Sequence, residues 1–195
     1  DGHALDPACF GGTAGIGKPD LAPRDRAFAR LLTTTVLRHA GALRAVVGGF
    51  LTKPLSERNR EVETVLMLGA AQLLYLDTPP HAAISLAVEH CRRVRGGQHL
   101  DKLVNAVLRR VAAEGKERLA ALDPVRTGFP PWMLARWTEA YGEADARRIA
   151  LASLQQAPLD ISIKARAEAE EWARRLDGAL LATGTVRLGS PGRVA

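Results

Sequence analysis

The chain has 195 residues, of which 47% are hydrophobic and 25% are charged, so its composition is that of an ordinary globular protein with a sizeable core. Aromatic residues make up only 5%, which argues against single-strand binding on a platform of stacked bases. The net charge of +6 indicates either an anionic partner or simply a soluble basic surface. The charge is uneven: residues 23–122 hold sixteen Lys/Arg against nine Asp/Glu, whereas residues 123–195 hold ten against nine.

Cysteine usage and hydropathy favour a cytoplasmic protein. Cys9 and Cys91 are the two cysteines, too few for a disulfide framework. No apolar run approaches the roughly 20 residues of a membrane span, and no signal-peptide pattern opens the chain. We therefore expect a reducing cytoplasm and no membrane partner.

The predicted elements begin after a lead-in, residues 1–22, which is rich in Gly, Pro and Asp and is expected to be flexible. Apolar residues then recur at helical spacing through residues 23–122, and nothing there alternates like a strand. This pattern predicts an all-α helical bundle. Its helices are expected from Pro23 onward, through Phe50, and over about 59–75, 80–94 and 99–114, the last ended by Gly115.

Residues 123–195 have a different character. Two helices are predicted, from Pro130-Pro131 to Gly142 and over about 143–156. Leu159, Ile161 and Ile163 alternate with polar residues, which predicts a short strand. A helix at about 166–176 and a strand near 180–188 follow. The chain is therefore expected to be mainly α, a helical bundle followed by a small α+β linker unit.

The most informative stretch is residues 92–110, which holds six Lys/Arg and one acidic residue. Leu100, Leu103, Val104, Val107 and Leu108 form the core-facing stripe of a helix there, which leaves the cations on the other side. A helical protein that concentrates cations in this way is expected to meet a polyanion. The candidate RNA-binding residues are Arg92, Arg93, Arg95, Lys102, Asn105, Arg109 and Arg110. Asn105 could bind RNA or tie down a loop.

Other motifs fail to predict a chemical site. Gly12 to Lys18 matches a phosphate-binding loop, but Pro19 stands where Mg²⁺ coordination needs Ser or Thr, and no strand precedes it. His90 and Cys91 are helix neighbours that point about 100° apart, so they cannot share a zinc ion. We expect no metal, no bound cofactor and no catalytic residue in these 195 residues.

Three motifs together resemble the NusB-type RNA-binding helical domain: Gly69-Ala-Ala-Gln-Leu-Leu-Tyr75, Pro80-His-Ala-Ala-Ile84 and Val104-Asn-Ala-Val-Leu-Arg-Arg110. With Asp25-Arg-Ala-Phe28 ahead of them and Phe129-Pro-Pro-Trp132 behind, the chain is similar to the Sun/Fmu (RsmB) family of rRNA cytosine-C5 methyltransferases. The resemblance implies a NusB-like bundle over residues 23–122, whose opening basic helix is expected to be missing. It also implies a linker over residues 123–195 that leads to a methyltransferase domain outside this chain.

The chain departs from the family pattern at two places. Ser85 and Leu86 stand where the family shows an Asn-Glu pair, and Phe129 replaces a His. By the resemblance, the full-length protein would use S-adenosylmethionine, and this part would position rRNA. Two alternatives remain open, a free-standing NusB-type antitermination factor that binds RNA, and a helical bundle that binds another protein.

Overall fold

The computed structural model describes residues 21–189, which divide into two compact units between Ala150 and Leu151. Apart from its last two residues, the predicted lead-in lies outside the described residues. The same holds for Cys9 and for the segment from Gly12 to Pro19.

The first unit is helical throughout. The helices are α1 (Pro23–Arg38), α2 (Ala40–Gly48), α3 (Arg60–Tyr75), α4 (Pro80–Arg93), α5 (Asp101–Ala120), α6 (Pro124–Gly128), α7 (Pro131–Tyr141) and α8 (Glu143–Ser153). A 3-10 turn, Glu57–Asn59, precedes α3, and the last three residues of α8 belong to the second unit. These elements confirm the prediction of a mainly α fold.

The core of the first unit is built around α3, which packs against α1, α2, α4 and α5. The apolar stripe of α3 is buried, and Leu66 is fully so; the stripe consists of Val62, Val65, Leu66, Gly69, Ala70 and Leu73. Leu43 of α2, Cys91 of α4 and Leu108 of α5 meet it in one hydrophobic cluster. Burying each large aliphatic side chain contributes about 1.5–3 kcal/mol, so this cluster fixes the positions of α4 and α5.

Gly69 sets the closeness of the crossing between α3 and α5. A Cβ atom built on Gly69 would lie 2.6 Å from Cδ1 of Leu108, a distance that real Cβ atoms do not show. Leu108 therefore occupies the space that any larger residue at position 69 would need.

The prediction that Gly115 ends the fifth helix is wrong. The helix α5 continues to Ala120, and Gly115 is buried within it. A Cβ at Gly115 would lie 3.0 Å from Cδ2 of Leu74. Position 115 needs a small residue because α3 passes close by. The helix remains part of the bundle beyond Gly115, since Leu119, one turn further along α5, packs against the core.

The short helix α6 was not expected from the sequence. The Asp123 carboxylate caps it by accepting hydrogen bonds from the backbone N–H groups of Val125 and Arg126, at 2.9 and 3.4 Å. Pro124 occupies the first helical position, where a missing N–H is harmless. These two bonds, together with an ion pair to Arg147, hold the pKa of the Asp123 carboxyl below its ordinary value.

The second unit is a three-stranded antiparallel sheet with one helix, α9 (Ala169–Arg175), preceded by a 3-10 turn at Arg166–Glu168. The strands are β1 (Leu159–Ser162), β2 (Ala179–Leu180) and β3 (Thr185–Leu188), in the order β1-β3-β2. The single strand predicted near 180–188 is wrong, because the chain turns back between β2 and β3 and forms a hairpin. Val186 of β3 is fully buried at its centre.

Candidate nucleic-acid interface

Three of the seven predicted RNA-binding residues line one groove, between α4 and α5, with a volume of about 640 Å³. We call it the α4/α5 groove. Arg92 lies on α4, and Asn105 and Arg109 lie four residues apart on α5, so both point from the same face of that helix. The rest of the lining comes from one face of α4: His81, Ile84, Ser85, Val88 and Glu89.

The cations of the α4/α5 groove differ in what they contact. Arg92 pairs with Asp101 in the first turn of α5, its Nη2 and Nε lying 2.9 and 3.0 Å from Oδ2. This hydrogen bond is the main reason why the pKa of the Asp101 carboxyl is lowered from its ordinary value. Within residues 21–189, the Asn105 amide and the Arg109 guanidinium have no hydrogen-bond or ion-pair partner. Their hydrogen-bonding capacity is therefore free for a ligand.

Arg93 faces a different surface. It lines a mainly apolar groove of about 310 Å³ between α1, α3 and α4, with Phe28, Leu32 and Leu86. Its guanidinium is paired with Glu89, one turn earlier on α4. Arg93 is therefore not brought together with Arg92, although the two are neighbours in the sequence.

Arg95 lies in the loop after α4 and lines a third, open groove of about 830 Å³ with Arg58, Arg60 and Gly96. Its backbone N–H donates to Glu61 Oε2 at 3.1 Å, which ties this loop to the start of α3. Its side chain has no partner in the part of the chain that the structure describes.

Arg110 packs against the buried Phe50. Its guanidinium carbon lies 4.7 Å from the ring centroid, and that of Arg118 lies 4.1 Å from the same ring. Both arginines also pair with Glu114, at 3.7 and 3.6 Å. These contacts give Arg110 a structural role, because cation–π stacking and an ion pair hold it on the side of α5 that faces α2.

Lys102 is exposed in the first turn of α5, outside the three grooves. Its backbone N–H donates to Asp101 Oδ1 at 2.8 Å, whereas its ammonium group has no partner among residues 21–189. Lys102 therefore adds positive charge beside the Arg92–Asp101 pair without lining the α4/α5 groove.

Sequence reasoning did not assign His81 and Ser85 to this site. Both are exposed on α4, four residues apart, on the face that carries Val88 and Arg92. The spacing 81, 85, 88 and 92 is a helical one, so this face was visible in the sequence. The sequence does not show, however, which helix packs beside this face of α4.

Cys91 is a fully buried thiol on the opposite side of α4. Its Sγ donates to the Gly97 carbonyl oxygen at 3.3 Å, and a Cβ at Gly97 would lie only 1.9 Å from the Cys91 carbonyl oxygen. Burial and the nearby Asp101 carboxylate raise the pKa of the Cys91 thiol. The thiol therefore anchors the loop after α4, residues 94–100, and is not activated as a nucleophile.

Residues 21–189 contain neither a metal-binding cluster nor a membrane-spanning helix. No group of three or more His, Cys, Asp or Glu side chains there is placed to hold a metal ion. Over the same residues, no helix is both long and apolar enough to cross a bilayer.

Comparison with known proteins gives two findings. A sequence model described as the NusB family matches residues 13–113. The chain is also similar to bacterial proteins named ribosomal RNA small subunit methyltransferase B. The protein from Xanthomonas campestris pv. campestris is 36% identical over 155 residues, which cover 79% of this chain and 34% of that protein.

Two more distant relatives carry the same name. The protein from Shigella flexneri is 32% identical over 159 residues, and that from Escherichia coli (strain K12) is 31% identical over 159 residues. Each alignment covers 80% of this chain and 37% of the relative. The chain thus spans about a third of the length of these relatives. The findings confirm the resemblance predicted from the three motifs.

Proposed function

Because the chain belongs to the NusB family, we propose that its helical bundle binds RNA through the α4/α5 groove. The observation that carries this proposal is the free guanidinium of Arg109 beside the free amide of Asn105, in a groove that also holds Arg92. Arginine donates paired hydrogen bonds to phosphate oxygens, and its planar guanidinium group has the geometry that such bonds require.

We further propose that the parent protein is an rRNA cytosine-C5 methyltransferase and that this part positions its rRNA. The relatives' name supports this proposal. The alignments to them extend over 155–159 residues, well beyond residues 13–113, the segment that matches the NusB family. That extent favours the methyltransferase over a free-standing antitermination factor, which would share only the bundle.

S-adenosylmethionine does not fit the α4/α5 groove. The cofactor carries a positive sulfonium centre, and the groove presents the free Arg109 cation beside Arg92. We therefore assign no cofactor site and no chemical step to the α4/α5 groove.

The contribution of this region is electrostatic and geometric. Arg109 can bind one phosphate directly, whereas Arg92 is held by the Asp101 carboxylate and is not available to a phosphate while that pair is intact. Phosphate contacts fix the position and orientation of a nucleic acid but carry no sequence information. Lys102 and Arg95 lie outside the groove and would extend the contact along the RNA backbone.

Charge reversal tests the proposal. The double variant Arg92→Glu/Arg109→Glu is compared with Arg24→Glu/Arg136→Glu, which changes the net charge equally at exposed arginines without partners in residues 21–189. Fluorescence anisotropy with a labelled rRNA hairpin gives affinity as a function of salt, and circular dichroism checks helicity.

The groove variant should lose about tenfold or more in affinity near 0.1 M salt, and its log–log salt slope should be shallower by about 0.7–0.9, the value for the one phosphate contact of Arg109. The control should keep the wild-type slope. Equal losses in both variants would mean that RNA responds only to net charge, and the proposed site would be wrong.

A further inference from the structure

The α4/α5 groove contains more than cations. Its floor includes Ile84 and Val88, which are half-buried, lie four residues apart on α4 and pack against the hydrophobic core. A phosphate group gains nothing from an aliphatic surface, because it would lose water there without a compensating hydrogen bond. This floor is suited to the flat face of a base or to a ribose.

Asn105 adds a hydrogen-bonding group of a different kind. Its side chain is half-buried and has no partner in the described residues. An amide offers two donors and an acceptor, which is the combination that matches the edge of a base. Arg109 lies one helical turn further along α5, so a phosphate and a base edge can be contacted from the same helix face.

A fully paired RNA helix cannot use these features together. Its bases are stacked and their edges are paired, so it presents mainly phosphates and 2′-hydroxyls to a protein. An unpaired nucleotide presents a phosphate, a flat face and a free polar edge at once. The groove volume of about 640 Å³ lies within the range of sites that hold small molecules.

We propose that the α4/α5 groove holds one unpaired ribonucleotide, whose base edge is bound by Asn105 and whose base or ribose face lies on Ile84 and Val88. The proposal rests on the RNA-binding function proposed above. It makes Asn105 a residue that discriminates between RNA structures, whereas Arg92 and Arg109 contribute affinity for any RNA backbone.

Two RNA probes with equal numbers of phosphates test this proposal: a fully paired duplex, and a duplex with a short bulge of unpaired nucleotides. The full 195-residue chain is titrated against each by fluorescence anisotropy. The wild-type chain should prefer the bulged RNA by about tenfold, the size of one good amide–base contact. Asn105→Ala should reduce this preference, the ratio of the affinities for the two probes, to about twofold or less.

Gln98→Ala is the matched control, because Gln98 is an exposed amide in the loop between α4 and α5, outside the groove and without a partner in residues 21–189. It should keep the full preference. If the wild-type chain binds both probes equally, the nucleotide site is refuted while backbone binding stands. If Asn105→Ala keeps the preference, the role of Asn105 is refuted. If neither probe binds, the proposed function fails as well.

Discussion

The ion pair between Arg92 and Asp101 gives the sharpest quantitative prediction, because it neutralises one cation of the α4/α5 groove in the free protein. The Asp101 carboxylate lies 2.9 Å from Arg92 Nη2 and is only 20% exposed, whereas the Arg92 side chain is 61% exposed. Replacing Asp101 with Asn removes the competing anion and leaves the guanidinium available. RNA should then gain one further phosphate contact.

The magnitude follows from counterion release. Each phosphate contact changes the logarithm of the affinity by about 0.7–0.9 for each decade of salt. Asp101→Asn should therefore steepen the slope by that amount. Over the decade of salt from 1 M to 0.1 M, this change tightens binding by about fivefold to eightfold relative to the wild type. Fluorescence anisotropy over a range of salt concentrations measures both quantities on the same labelled RNA.

Asp145→Asn is the matched control. Asp145 also lies in the first turn of a helix, α8, and is also paired with an arginine, Arg148. The control makes the same change in net charge and should leave the slope unchanged. The double variant Asp101→Asn/Arg92→Gln should lose the gain. An equal gain from Asp145→Asn, or no gain from Asp101→Asn, would refute the reasoning.

Three further predictions concern stability and reactivity. Leu108→Ala should lower the free energy of unfolding in urea by about 2–5 kcal/mol, because it empties a fully buried site at the crossing of α3 and α5; a loss well below that range would contradict the packing described. Cys91 should resist alkylation in the native chain and react only after unfolding, as peptide mass mapping would show, since its thiol is buried and its pKa is raised. In the second unit, hydrogen bonding from Arg187 lowers the pKa of the Asp160 carboxyl. The pair therefore stabilises the sheet fully at pH values above the ordinary Asp pKa of 3.8. This stabilisation is lost as the pH falls through the lowered pKa of Asp160. Hydrogen exchange at β3 amides should show this acid sensitivity, and Asp160→Asn should remove it.

Periodicity in the sequence predicted the core of the bundle well. The apolar positions of α3 and α5 repeat at helical spacing, and they are buried because each such stripe must pack against another element. The close approach at Gly69 was also predictable, since small residues allow two helices to approach. The end of α5 was not, because Gly115 looks the same in a sequence whether it ends a helix or admits a neighbouring one.

The candidate site was predicted less completely, for a geometric reason. Arg109 and Arg110 are neighbours on a helix and point about 100° apart, so one lines the α4/α5 groove and the other stacks on Phe50. The sequence placed both outside the core but did not show which helix lies beside each. Likewise, Arg92 and Asp101 are separated by a loop, and only the structure shows their pairing.

The most direct test of the central claim maps where RNA touches the bundle. Labelling the chain with ¹⁵N and adding an unlabelled rRNA hairpin should shift the backbone amide signals of Ser85, Val88, Asn105 and Arg109 most strongly. The amides around Arg136 on α7 should change little. Largest shifts around Arg136, or beside Arg58 and Arg95, with none between α4 and α5, would contradict the account.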